Sequence, residues 1–333
     1  MADLLSKPYL TISLTDVCNL RCVYCPPAGE NYHTPTTMMN PEQACAILDT
    51  AVALGVHKVR FTGGEPLLYP HLATVMRHAA MCNLEVHINT NGLLLAQNLA
   101  WLKTIPNLFV KVSLDAHTNA AMRRIAGAGQ AKRVIEGLRQ AAATGIVQRV
   151  NFVLTQLNVD EVPGILALCR KLGIGLKIFD MFPVPETAVL WQTLYAPIEA
   201  INLDGEPAPP YAYTRQYGTP TRELIVDGVH VRIKNCQDGT RYHTVCQQCP
   251  FFPCPEGLYC LLVTPSLTVV PCRLGEHLYR HCHDFAELRQ AIAQAIQLYQ
   301  ESYFANLFHE THQDFYAASL NHCPQAEFEG VRC

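Results

Sequence analysis

Cys18, Cys22 and Cys25 stand close together near the amino end, in the run Cys-Asn-Leu-Arg-Cys-Val-Tyr-Cys. Three thiolates offered by one loop can bind three irons of a 4Fe–4S cluster and leave the fourth iron without a protein ligand. An open iron can chelate the amino and carboxylate groups of a small molecule and pass it an electron. Zinc fits this spacing poorly, because structural zinc wants a closed set of four ligands, usually as two pairs.

Other residues of chemical interest follow strand-like runs. Gly63-Gly64-Glu65-Pro66 comes after Arg60-Phe-Thr. Paired glycines let a backbone approach a ligand closely, and Glu65 with the loop carbonyls can accept hydrogen bonds from an ammonium group. Asn89-Thr90-Asn91-Gly92 and Ser113-Leu-Asp115 offer amides and hydroxyls suited to ribose or carboxylate contacts. Each also reads as a helix cap or an Asx-turn. Arg149 can meet a carboxylate or phosphate, or form a surface ion pair. Further along, Cys246-Gln-Gln-Cys249 is followed by Cys254, Cys260 and Cys272. Four thiolates there, with Cys254 or Cys260 as the fourth ligand, would close an auxiliary 4Fe–4S cluster, whereas three would leave an iron free to hold substrate. Zinc also suits four cysteines that include a CxxC pair.

Fifteen cysteines would suit a disulfide framework in a small exported protein. This chain has 333 residues, and its start, MADLLSKPYL, lacks the basic and apolar segments of a signal peptide. Metal ligation is therefore the expected use. A net charge of −3 gives no electrostatic case for duplex nucleic acid or an anionic membrane. No apolar run approaches membrane-spanning length. A cytoplasmic protein is expected.

These residues need a scaffold. Up to residue 182 the sequence alternates short strand-like runs with amphipathic stretches. Strands are expected at Thr11–Leu14, Lys58–Thr62, Glu85–Asn89, Phe109–Leu114, Arg149–Thr155 and Gly175–Met181. Helices are expected at Pro41–Leu54, His71–Cys82, Ala96–Thr104, Ala131–Thr144 and Asp160–Lys171, the first capped by Asn40. Such alternation implies right-handed βαβ units and an α/β fold with a parallel sheet that can curve into an incomplete barrel. The residues singled out fall at strand carboxyl ends, where such folds carry their chemistry. Three parts are expected: a core over residues 1–182, a connecting segment over 183–245, and a cysteine-rich region over 246–333. The middle part carries a hairpin of Glu223–Val226 and His230–Ile233 turned by Asp227-Gly228, and the last part carries a helix at Asp284–Tyr303.

The cysteine triplet, Gly63–Pro66, Asn89–Gly92 and Val112–Asp115 together resemble the radical S-adenosylmethionine (SAM) superfamily. Within it the chain is most similar, from about Thr11 to Cys272, to the molybdenum-cofactor GTP 3′,8-cyclase family. The resemblance implies a partial (β/α)6, TIM-like barrel with a smaller, cysteine-rich, twitch-like extension. It implies a SAM-binding 4Fe–4S cluster, SAM contacts from Tyr24, Gly64 and Ser113, and an auxiliary cluster on Cys246, Cys249 and Cys272. It also implies one-electron supply by a flavodoxin- or ferredoxin-type reductant. Several GTP-gripping arginines of that family are absent: Thr11 holds one place, and Pro250-Phe251-Phe252 follows the CxxC pair. Each such charge-assisted contact is worth ~1.5–3 kcal/mol. The expected substrate is therefore nucleotide- or nucleoside-like but not GTP, rearranged, cyclised or epimerised after hydrogen abstraction. A ribosomally made peptide is the alternative substrate, and an iron–sulfur electron carrier or sensor is the alternative of another class.

Overall fold

A computed structural model describes residues 9–25, 38–181, 188–208, 221–235, 238–258 and 261–307. Parallel strands β1 (Leu10–Ser13), β2 (Lys58–Thr62), β3 (Glu85–Thr90), β4 (Leu108–Ser113), β5 (Val147–Val153) and β6 (Gly175–Phe179) lie side by side in sequence order. Helices α1 (Pro41–Ala53), α2 (Leu72–Met81), α3 (Leu95–Leu102), α4 (Asn119–Ala126), α5 (Ala131–Ala142) and α6 (Val162–Leu172) carry the crossovers. The α/β class and the partial, TIM-like barrel expected from the sequence are both present.

Alternation along the strands divides the chemistry. Val59, Phe61, Val86, Ile88, Val110, Val112, Val150 and Phe152 are all fully buried and form the apolar core beneath the helices. The opposite residues, including Arg60, Lys111, Arg149 and Lys177, line the concave face in register. Helix α1 starts as its sequence dictates: Asn40 Oδ1 accepts from Glu42 N at 2.8 Å, with Pro41 in the first turn. Helix α4 has no counterpart among the expected elements, although Thr118 caps its start and Gly127, at φ 71°, ends it.

The same sheet continues at both edges. After α7 (Ala188–Leu194) come β7 (Glu206–Pro207), β8 (Arg222–Val226) and β9 (Val229–Lys234). Strand β9 pairs parallel with β6, and β8 returns antiparallel through Asp227 (φ 49°) and Gly228 (φ 80°), the left-handed pair the hairpin needs. At the other edge β11 (Leu261–Val263) pairs parallel with β1, then β12 (Thr268–Val270) and β13 (Arg280–His281) add antiparallel strands. Strand β10 (Thr240–Tyr242) pairs separately with β14 (Tyr303–Ala305). Between them in sequence, α8 (Phe285–Glu301) is capped by Asp284, which accepts from Glu287 N at 2.8 Å. The result is a 12-stranded sheet whose hydrogen bonding runs across all three of the expected parts.

Candidate active site

The loop bearing Cys18, Cys22 and Cys25 leaves the carboxyl end of β1 and is held from two sides. On one side Gly64 N donates to Thr15 O at 2.6 Å and Glu65 N to Val17 O at 2.8 Å. A Cβ at Gly63 would fall 2.3 Å from Thr15 O, and one at Gly64 2.4 Å from Val17 O. The glycine pair therefore serves close contact between two loops of the chain, where the sequence suggested an approach to a ligand. On the other side Arg21 N and Val23 N donate to Ala126 O and Ile125 O at the end of α4, at 3.1 and 2.8 Å. Met181, Trp191 and Leu194 pack against Val23 and Tyr24 and roof the loop.

Glu65 is fully buried. Its carboxylate accepts from Leu67 N (2.9 Å), Thr90 Oγ1 (2.7 Å) and Asn91 N (2.7 Å). The side chain expected to receive an ammonium is thus committed to tying the end of β2 to the end of β3. Burial raises its pKa, against the lowering effect of those three donors. Pro66, also buried, opens the short 3-10 turn Pro66–Leu68, where a missing N–H is harmless. From the next loop it is Asn91 that reaches the cysteines: its Nδ2 donates to Asn19 Oδ1 at 2.7 Å and lies 3.9 Å from Cys18 Sγ. Asn89, the residue expected to bind there, sits on the concave face with a buried Oδ1 that has no partner among the described residues. Ser13 Oγ, two strands away on β1, is in the same state. Unpaired buried acceptors are uncommon and mark a surface built to receive a donor.

The Tyr24 hydroxyl donates to Asp115 Oδ2 at 2.5 Å, and Asp115 Oδ1 accepts from Val153 N at 2.7 Å. Ser113 lies half-buried at the end of β4, opposite Asn151 of β5. All three cysteines are free thiols, with Cys18 and Cys25 exposed. Burial, then the charges of Asp115 and the neighbouring thiols, pushes Cys22 up to about 12. Metal-free, this group would stay protonated; a cationic cluster stabilises all three thiolates at once. The donor set therefore fits iron–sulfur ligation.

Arg149 does not form a surface ion pair. It lies one layer below Ser113, facing into the barrel, and donates to Asn151 Oδ1 (3.1 Å) and Gln148 Oε1 (2.9 Å). Around it gather Arg60, Lys111, Lys177 and Arg232, near enough for their charges to act on one another. Burial, then Arg149 and further cations, drives Lys111 and Lys177 well below the usual ammonium range. Burial and Arg232 bring Arg149 down to about 9. Glutamates pair with the flanking cations, Lys58–Glu85 at 3.0 Å, Arg232–Glu223 at 3.4 Å and Lys234–Glu256 at 3.3 Å, and the charge of Glu223 also reaches Arg149. Apart from Arg60 and Arg149, the sequence reading missed this lining. Period-two placement of Lys and Arg in β2 (Lys58, Arg60) and β9 (Arg232, Lys234) was the available signal.

The second cysteine group gathers at the opposite end of the sheet, before β11 and after β12. Cys254 and Cys272 are buried and Cys246 and Cys249 half-buried. Cys254 is the link: the charge of Cys246 acts on it, and its own acts on Cys272, adding to burial in raising both thiols. Two of the sulfurs already receive backbone donors, Cys246 from His243 N (3.4 Å) and Cys254 from Gly257 N (3.3 Å). Cys260 lies outside the described residues.

A family model described as the Radical SAM superfamily matches residues 12–169. The probable GTP 3′,8-cyclase of Methanocaldococcus jannaschii is 30% identical over 276 residues, covering 81% of this chain and 90% of that protein. The GTP 3′,8-cyclase of Mycolicibacterium smegmatis is 38% identical over 189 residues, 55% of this chain and 52% of that one. In fold the chain resembles Streptococcus suis SuiB, with a TM-score of 0.58 at 16% identity over 88% of this chain and 67% of that one. It also resembles anSMEcpe with bound AdoMet and a peptide, with a TM-score of 0.53 at 15% identity over 88% and 83%.

Proposed function

The chain belongs to the radical SAM superfamily and, within it, to the family of the GTP 3′,8-cyclases, and from that premise we propose that it abstracts hydrogen from an anionic, nucleotide-like substrate held against the cationic lining of its barrel. The enzyme works with a 4Fe–4S cluster and SAM. Cys18, Cys22 and Cys25 would hold the cluster, which when bound would supply the electron for reductive cleavage of SAM. The chain's own residues do the rest. With the Glu65 carboxylate occupied, and the Glu65 and Pro66 carbonyls accepting from Leu68 N and Tyr69 N, the carbonyls of Gly63 and Gly64 are the acceptors of this loop that can orient an ammonium. Asn89 Oδ1 and Ser113 offer hydrogen bonds to ribose hydroxyls. Met181 and Trp191 pack against Val23 and Tyr24 and support the cysteine loop from that side.

The observation that carries the substrate class is the convergence of buried Lys111 with half-buried Arg149 and Lys177, none of which has a carboxylate in ion-pair contact among the described residues. A phosphate or carboxylate placed among them would restore their full charge. Phe251 and Phe252 stand where the resemblance puts GTP-gripping arginines, and Phe252 packs edge-on to Tyr242 at 5.4 Å. A nucleotide other than GTP is therefore favoured. We assign Cys246, Cys249, Cys254 and Cys272 to a closed auxiliary 4Fe–4S cluster, and electron supply to a flavodoxin- or ferredoxin-type protein. On this reading residues 1–182 bind SAM, 246–333 carry the auxiliary cluster and 183–245 connect them.

The test is anaerobic. Reconstituted, reduced protein with SAM is offered a panel of nucleoside phosphates, free nucleosides and short peptides, and 5′-deoxyadenosine is followed. Acceleration by a phosphorylated nucleoside, weakened by salt, is expected. Acceleration by peptides alone would overturn the substrate class, and absence of any 5′-deoxyadenosine from cluster-loaded protein would overturn the reaction.

A further inference from the structure

On the outer surface of the barrel, Asp49 Oδ1, His78 Nε2 and Cys82 Sγ lie within 4.8 Å of one another. Asp49 belongs to α1, and His78 and Cys82 to α2 and its cap. Residues i and i+4 share a helix face, so His78 and Cys82 project side by side. Cys82 caps α2, and Asn83 (φ 58°) breaks the helix directly after it, which fixes the thiol one turn beyond the imidazole. Cys45 stands one turn before Asp49 on α1, close enough for Asp49 and Cys82 to act on its thiol. None of these residues takes part in the chemistry of the barrel mouth. They sit toward the end of α2 that leads into β3, away from the strand ends that carry Cys18.

We propose that Asp49, His78 and Cys82 form a zinc site that clamps α1 to α2, with the fourth position left to water or to Cys45, one turn away on α1. A thiolate, an imidazole and a carboxylate are all ordinary zinc ligands, at about 2.0–2.3 Å from the metal. Tetrahedral geometry at those bond lengths places ligand atoms roughly 3.5 Å apart. Asp49 Oδ1 and Cys82 Sγ are already 3.6 Å apart. Asp49 Oδ1 and His78 Nε2 are at 2.7 Å, a hydrogen-bond length, and need separate by less than about 1 Å once the metal replaces the shared proton. Burial and the Asp49 charge hold the Cys45 and Cys82 thiols above their usual pKa. A divalent cation reverses that penalty and binds with loss of the thiol protons. Three or four ligands with sulfur among them suit zinc or cobalt over the hard cations magnesium and calcium.

The test uses the full chain with both iron–sulfur sites reconstituted, so that their cysteines are occupied, and reads iron and zinc per chain together. Wild type should retain one zinc after mild chelation. The double variant His78→Ala, Cys82→Ser should lose it with iron content unchanged, which also shows that the variant has folded. Substituted with Co2+, wild type should show a thiolate-to-cobalt charge-transfer band that the variant lacks, and zinc should raise the Tm of wild type alone. A variant that keeps its zinc, a cobalt spectrum indifferent to Cys82, or a Cys45–Cys82 disulfide in wild type would overturn the site. SAM cleavage is not the readout, so failure here leaves the proposed reaction untouched.

Discussion

At the scale of single residues, His87 links the barrel lining to acid stability. Burial, then the Lys111 charge, drives its imidazole down to about 2, and it stacks on Phe109 at 4.9 Å. Glu85, hydrogen-bonded by His87 and paired with Lys58, is likewise held at about 2. Both pKa values are depressed on folding, so the unfolded chain takes up protons first as pH falls. The stabilisation is present at neutral pH, is lost through the His87 window starting near 6.5, and falls further through that of Glu85 below 4.5. The variant His87→Phe keeps the stack and removes the first window. Its chemical-denaturation midpoint should drop less between pH 7 and pH 5 than that of wild type, and equal drops would refute the assignment. Among the cysteines, Cys18→Ala should lose the first cluster's iron and all 5′-deoxyadenosine. Cys272→Ala should keep some SAM cleavage but yield no product, as product assay beside 5′-deoxyadenosine measurement would show.

At the scale of elements, the cysteine loop takes its shape from neighbours. Gly64→Ala places a methyl group 2.4 Å from Val17 O and 2.5 Å from Asp16 O. Backbone on backbone cannot yield, so the loop after β2 must lift away from the cysteine loop. Iron bound at Cys18, Cys22 and Cys25 should fall to a small fraction, while the auxiliary iron stays; electron paramagnetic resonance separates the two. This element also shows what the sequence could disclose. The βα rhythm, the Asn40–Pro41 helix start and the Asp227–Gly228 turn are local, and were readable because adjacent residues determine them. The destination of Glu65 was not, since its partners Thr90 and Asn91 belong to a different strand end. Helix α4 was also missed. It is short and polar on average, and its task of holding Arg21 and Val23 appears only in three dimensions.

At the scale of the whole molecule, an overall charge of −3 conceals a strongly positive interior. Composition averages over faces, and the register that collects Lys111, Arg149 and Lys177 exists only once β4, β5 and β6 pair. Crowding these cations together with no carboxylate in contact with Lys111 among the described residues destabilises the free enzyme. Lys111→Met should therefore raise the Tm of ligand-free protein while weakening substrate binding at least about tenfold, one charge-assisted contact being worth ~1.5–3 kcal/mol. Thermal shift with and without substrate reads both effects. A variant that is neither stabilised nor impaired would mean that Lys111 faces no ligand.

Strand β1 lies between β2 and β11, with Leu10 opposite Leu261. A ribosome therefore delivers the first strand of the sheet long before one of its two hydrogen-bonding neighbours. Strands β2 to β6 can assemble on β1 as they emerge, but its other edge stays open until residues 261–263 have left the exit tunnel. An uncovered edge invites pairing with other nascent chains. Messages cut short before that point should yield insoluble polypeptide, however complete the upstream barrel.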